Sequence, residues 1–133
     1  MTAPKINHIK ETCLYVKDIE KSRYFYEEIL GLERIHYKKD QHLFLKIGKN
    51  VLLLFNAQYT KNQTSPPPHD GEGRQHIAFE TDIGQYSLWK QHLHRHHITI
   101  EQEQTWPNGG LSFYFRDPDN LCLEIVQPGI WGF

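Results

Sequence analysis

The chain has 133 residues, with 15 lysines and arginines against 16 aspartates and glutamates, a net charge of −1 when its histidines are neutral. That length builds one domain, and the absence of any basic run or stripe argues against nucleic acid or an anionic membrane as partner. No apolar stretch is long enough to span a bilayer, no leader-like apolar region follows Met1, and the two cysteines, Cys13 and Cys122, are too few for a disulfide framework, so a reduced, cytoplasmic setting is expected.

Glu11 to Val16 has the β-branched and aromatic content of a strand, and its alternation puts Thr12, Leu14 and Val16 on one face and Glu11, Cys13 and Tyr15 on the other. Asp18 suits a helix N-cap, because its carboxylate can accept from free N–H groups of the first turn. The helix is predicted over about 19–30, with Ser22, Phe25, Tyr26 and Ile29 as its buried stripe and Gly31 at its end. Strands are predicted near 33–37, 42–47 and 51–56, the last two joined by a tight Gly48-Lys49-Asn50 turn. This βαβββ module occupies about 8–60.

A connector follows over about 61–74, where Ser65-Pro66-Pro67-Pro68 cannot join a ladder and Gly71 and Gly73 give a flexible exit. The second module, about 75–128, repeats the layout. His76–Glu80 is its first strand, Asp82 or Thr81 the cap, and a helix carrying Tyr86, Trp89, Lys90 and Leu93 turns Trp89 and Leu93 inward. Further strands are predicted near 98–102, 111–115 and 121–126, with turns at Asn108-Gly109-Gly110 and Asp117-Pro118-Asp119-Asn120. The tail, 129–133, is apolar enough that it is expected to pack on the body or on a partner chain.

The two modules align. Glu11-Thr12-Cys13-Leu14-Tyr15-Val16 matches His76-Ile77-Ala78-Phe79-Glu80-Thr81, and 48–55 matches 118–125, which sets Glu11 opposite His76 and Leu54 opposite Glu124. In the last strand Leu121, Leu123 and Ile125 want the helix side, leaving Cys122, Glu124 and Val126 on the other. Alternation therefore turns Glu11, His76 and Glu124 toward whatever the sheet curves around. Glu124 sits within Leu-Cys-Leu-Glu-Ile-Val, and an unpaired buried carboxylate costs several kcal/mol, so it requires a cation, a network or a proton. One imidazole and two carboxylates form an incomplete, fairly hard shell for Mn²⁺, Fe²⁺, Co²⁺, Ni²⁺ or Zn²⁺, with positions left for water or substrate.

The motifs Leu14-Tyr15-Val16-Lys17-Asp18, Phe25-Tyr26 through Leu30-Gly31-Leu32, His76-Ile77-Ala78-Phe79 and Tyr114-Phe115-Arg116-Asp117-Pro118-Asp119-Asn120 leading to Glu124 resemble the vicinal oxygen chelate superfamily, which holds glyoxalases, epimerases, extradiol dioxygenases, and fosfomycin-resistance and bleomycin-binding proteins. The resemblance covers nearly the whole chain. It implies an α+β fold of paired βαβββ modules forming an open, cup-like mixed sheet in a single domain, 1–133, and a homodimer. It places metal ligands at Glu11, His76 and Glu124, with Leu54 where glyoxalases carry a further carboxylate. It implies a divalent-metal-dependent enzyme of the glyoxalase or dioxygenase type, a lyase, isomerase or dioxygenase acting on a small oxygen-chelating organic substrate. Glu11 and Glu124 are then the catalytic carboxylates, with Glu11 as the group that takes a proton from carbon. The rival reading is a metal-free, bleomycin-resistance-like binding protein walled by Trp106, Tyr114 and Trp131, which has no need of three polar ligands.

His42, Trp106, Tyr114 and Arg116 are the candidate substrate contacts. Arg116 has the geometry to clamp a carboxylate, or to brace the Asp117-Pro118 turn instead. His92, His94, His96 and His97 make a patch read as a solvated helix face, and Cys13 and Cys122 are read as small wall residues.

Overall fold

A computed structural model describes residues 3–62, 67 and 71–133. The Ser65-Pro66-Pro67-Pro68 stretch assigned to the connector lies almost wholly outside them. The chain divides into two compact units, Met1–Gly71 and Glu72–Phe133. Each holds one four-stranded mixed sheet with helix beside it, which is the α+β, twice-βαβββ architecture expected.

In the first unit, β1 (Glu11–Tyr15) leads into α1 (Ile19–Arg23), then β2 (Glu33–Lys38), β3 (His42–Ile47) and β4 (Asn50–Phe55), assembled in the order β1-β4-β3-β2. β1 lies parallel to β4 and the other pairs are antiparallel. Asp18 caps α1 as expected, its Oδ1 accepting from the N–H groups of Glu20 and Lys21 at 3.0 and 3.2 Å. The single helix expected over 19–30 is a two-part element: after Arg23 the backbone widens into a π-helix, Tyr24–Ile29. Ser22, Phe25, Tyr26 and Ile29 are all buried, so the predicted stripe holds. The wider turn seats Phe25 and Tyr26 edge to face, 5.1 Å apart; a π-bulge of this kind is a local insertion that periodicity counting does not reveal. Gly31, at φ +71°, follows the helix in the left-handed conformation expected of it. A short helix absent from the sequence reading, α2 (Ala57–Thr60), starts at Asn56, whose side chain accepts from Gln58 N–H at 3.1 Å.

In the second unit, β5 (His76–Glu80), α3 (Ile83–Arg95), β6 (Gln102–Thr105), β7 (Leu111–Arg116) and β8 (Cys122–Val126) give the order β5-β8-β7-β6. Asp82 occupies the N-cap position of α3, but its side chain makes no capping bond. Tyr86 and Leu93 are the buried residues of α3, whereas Trp89, expected inward, is half-buried and set edge-on to His92. The strand expected at 98–102 begins only at Gln102. Ile98 closes the helix instead, donating to the Leu93 carbonyl at 2.9 Å after His97 at φ +59°. The tail is tied through Ile130, which packs against Gly110, while Trp131 and Phe133 are 79% and 100% exposed. Packing of the tail on its own unit therefore ends at residue 130.

The helix-side faces form each core: Leu14, Leu43, Leu45, Leu52 and Leu54 in the first unit, and Phe113, Phe115, Leu121, Leu123 and Ile125 in the second. No helix among the described residues is long and apolar enough to cross a membrane.

Candidate functional site

The open face of the second sheet gathers polar side chains in rows across the strands. His76, Cys122 and Arg116 lie opposite one another on β5, β8 and β7; Ala78, Glu124 and Tyr114 form the next row, and Ser112 lies opposite Val126. His76, Glu124, Tyr114 and Arg116, drawn from three separate strands, thus share one face.

Glu124 is 5% exposed, and its Oε1 lies 3.1 Å from Nε2 of His76. The other ring nitrogen, Nδ1, lies 2.9 Å from the Cys122 carbonyl. A carbonyl only accepts, so Nδ1 carries a proton. Neutral imidazole then points the lone pair of Nε2 at a carboxylate oxygen, and two acceptors cannot rest in contact without a cation between or upon them. That cation is a second proton or a metal ion. A backbone carbonyl fixing the tautomer from behind is the arrangement found around metal-binding histidines, and two bonds of about 2.1 Å meeting at a right angle leave their donor atoms about 3 Å apart. The pair fits two neighbouring positions around a divalent ion.

Beside Glu124 stand further polar groups: Tyr114 is its neighbour across the strands, Ser112 is two residues before Tyr114 on the same face, and Trp106 Nε1 donates to Ser112 Oγ at 3.0 Å. Burial first, then the Glu124 charge, holds the Tyr114 hydroxyl above its ordinary pKa, so it stays a donor. The Tyr114 ring also lies 6.0 Å from that of His76. Trp106 reaches this face because its loop closes on itself, Trp106 N–H donating to Gly110 O and Gly109 N–H to Trp106 O, both at 2.8 Å. Ser112 went unremarked as a site residue; its alternation with Tyr114 was the signal. Arg116 binds Glu101 through Nε and Nη2 at 2.7 and 3.2 Å and the Asn120 carbonyl at 3.3 Å, so the turn-bracing contact is present.

In the first unit Glu11 opens β1 opposite Val51, and Cys13 lies opposite Leu53. Burial and then the Glu11 charge push the Cys13 thiol above its ordinary pKa, which suits a wall residue rather than a nucleophile. His42 pairs with His36, a residue not singled out in the sequence, Nε2 to Nδ1 at 2.9 Å. Its ring stacks on Phe44 at 4.3 Å. Among the described residues no three His, Cys, Asp or Glu side chains gather as a metal site would; the second unit supplies the His76–Glu124 pair and the first carries Glu11.

Register corrects one equivalence. Glu11 opposes Val51 as His76 opposes Cys122, so the first-unit counterpart of Glu124, two residues further along its strand, is Leu53. Leu54, aligned with Glu124 in the sequence, faces the core opposite Leu14 and Leu43 and is 0% exposed.

Residues 5–125 match the family model described as Glyoxalase/Bleomycin resistance protein/Dioxygenase superfamily, and the chain belongs to that superfamily. It is 34% identical to the protein YwkD of Bacillus subtilis (strain 168), over 96% of this chain and 99% of that one. It is 30% identical to the glutathione transferase FosA of Serratia marcescens, over 90% and 78%. Among solved structures, the lactoylglutathione lyase of Agrobacterium tumefaciens superposes with a TM-score of 0.92 at 32% identity, covering 97% and 99% of the two chains.

Proposed function

We propose that this protein is a divalent-metal-dependent enzyme of the glyoxalase/dioxygenase type, acting on a small organic substrate through neighbouring oxygens. The observation that carries the reading is the buried Glu124 carboxylate facing Nε2 of an imidazole whose other nitrogen is already committed to a carbonyl. His76 and Glu124 are two ligands. Glu11 is proposed as the third, on its equivalence to His76 at the head of each parallel strand pair. Two relatives, a lactoylglutathione lyase and a glutathione transferase, support chemistry on a glutathione-linked small molecule.

A bound divalent ion supplies Lewis acidity toward two adjacent substrate oxygens. The protein's own groups do the rest. The Cys122 carbonyl holds the His76 ring in one tautomer, and the Tyr114 hydroxyl stands as a donor beside the Glu124 carboxylate. Glu11 takes and holds the proton removed from substrate carbon. Trp106 and Tyr114 wall the face, and His42 and Arg116 contact more distant parts of the substrate. Catalysis by a homodimer is part of the proposal.

Metal analysis of untagged protein, with His92, His94, His96 and His97 replaced to remove the helix patch, tests the reading. Stoichiometric Mn²⁺, Ni²⁺ or Zn²⁺ binding that disappears in His76→Ala supports it. Undiminished binding in that variant, or tight aromatic-ligand binding by protein that takes up no metal, replaces it with the metal-free sequestration function.

A further inference from the structure

A second polar feature of the 72–133 unit takes no part in holding the His76–Glu124 pair. Arg74, Glu101, Arg116 and Asn120 line an open pocket of about 260 Å³. Two guanidinium groups face one carboxylate there, which leaves a surplus positive charge. Arg74 is exposed and has no hydrogen-bond or ion-pair partner among the described residues. Arg116 is held by Glu101 and by the Asn120 carbonyl, and both side chains of the Arg116–Glu101 pair are more than a third exposed. A solvated ion pair contributes little net stability, so an incoming anion can replace Glu101 on the Arg116 fork without disturbing the fold.

The pocket is placed relative to the candidate centre by strand register. His76 and Arg116 are the two neighbours of Cys122, one on each side, and so lie in one row on one face. Two strand spacings separate their backbones by about 10 Å. Arg74 sits two residues before His76 on the same approach.

We propose that this pocket is an anion subsite that takes the carboxylate or phosphate end of a substrate whose neighbouring oxygens are held at His76 and Glu124. The bridging part rests on the metal-centre reading; anion binding by the pocket does not. Glu101 is the internal competitor, occupying the Arg116 fork until the ligand arrives. Accepting two parallel N–H bonds from a guanidinium is the chemistry that carboxylates and phosphates share. The substrate class is therefore an anionic organic molecule with its reactive oxygens at one end and its charge at the other.

The test follows the arginine Nε–H signals by NMR during titration with inorganic phosphate and, separately, with propionate. Saturable shifts of Arg74 and Arg116 are expected, with affinity at least tenfold weaker in Arg74→Gln. Glu101→Gln is expected to bind several-fold tighter, because the competing charge is gone; a merely structural Glu101 would not produce that gain. The tighter of the two probes tells whether the natural end group is phosphate or carboxylate. His76→Ala leaves phosphate binding unchanged, so failure of the metal centre reads separately from failure of the subsite. With Mn²⁺ present, suberate binds more tightly than propionate in the parent and equally in His76→Ala. Non-saturating shifts identical in parent and Arg74→Gln mean an adventitious ion only and overturn the subsite. Suberate no tighter than propionate overturns the bridging. Arg74→Gln carries the test because Arg74 supports no other side chain among the described residues, whereas loss of Arg116 also removes the brace on Asn120.

Discussion

Nε2 of His76 lies 3.1 Å from Oε1 of Glu124, a carboxylate that is 5% exposed, while the imidazole itself is nearly half exposed through its side chain. The buried member is thus the one that pays most for losing its cation, and the exposed member is the one through which solvent or substrate arrives. Around this asymmetric pair, the fold supplies a carbonyl behind the ring and a phenol beside the carboxylate.

The phenol gives the first prediction. Tyr114→Phe removes the hydroxyl that neighbours Glu124 across the strands, and loss of such an outer partner lowers metal affinity roughly ten- to hundredfold. Calorimetric titration with Mn²⁺ reads this directly. Unaltered affinity in a folded Tyr114→Phe protein removes Tyr114 from the site.

The register supplies a second. Leu53→Glu places a carboxylate at the structural counterpart of Glu124, and Leu54→Glu places one in the core. Each costs about 4 kcal/mol in metal-free protein, from lost packing and a desolvated charge. Saturating Mn²⁺ is expected to restore much of the melting temperature of Leu53→Glu and none of that of Leu54→Glu. The reverse pattern would mean that the sequence alignment, not the ladder, had the right frame.

A third concerns the core of the second unit. The Tyr86 hydroxyl is buried with no hydrogen-bond partner among the described residues, and burial, then the charges of Glu103 and Glu124, raises its pKa strongly. Tyr86→Phe deletes an unsatisfied polar group while keeping the ring that meets Phe113 edge-on at 5.3 Å. Stability is expected to rise by about 1 kcal/mol, roughly 4 °C in Tm by calorimetry. A fall in Tm would show the hydroxyl to be satisfied in solution.

His42 gives a pH dependence. Burial, then the positive charges of His36 and Lys38, lowers its pKa below the ordinary 6.5. The unfolded chain therefore binds more protons at this site than the folded one, and stability falls as pH drops through and below about 6.5. His42→Phe, set among Phe44 and Phe55, removes that share of the slope. Urea unfolding of both proteins between about pH 7.5 and about pH 5, across the histidine range, checks it; parallel slopes would refute the assignment.

The linear chain already contained the architecture. Alternation in Leu14-Tyr15-Val16 and Leu121-Cys122-Leu123-Glu124 fixed which side chains face the helices, because a strand's period of two leaves no third choice. It also turned His76 and Glu124 away from the helix side and set Tyr114 and Arg116 on one face of their own strand. What it could not supply was frame and partner. The turn before β4 and the turn before β8 differ in shape: Gly48 turns at φ +56°, whereas Asn120 at φ +63° follows an Asp117 side chain that accepts from both Asp119 and Leu121. Matching them letter by letter slipped the alignment by one residue and named Leu54 instead of Leu53, since a one-residue shift exchanges the two faces of a strand.

The sequence by itself determined which residues are apolar, with what period, and hence the two βαβββ units and their polar faces. Only the tertiary structure decided the pairings: His76 with both Cys122 and Glu124, Ser112 with Trp106, Arg116 with Glu101, and the π-helical turn at Tyr24–Ile29. Those depend on ladder register and on distances between residues far apart in the chain, which close only when hydrogen bonding between strands fixes one alignment out of many that the same pattern of side chains would permit.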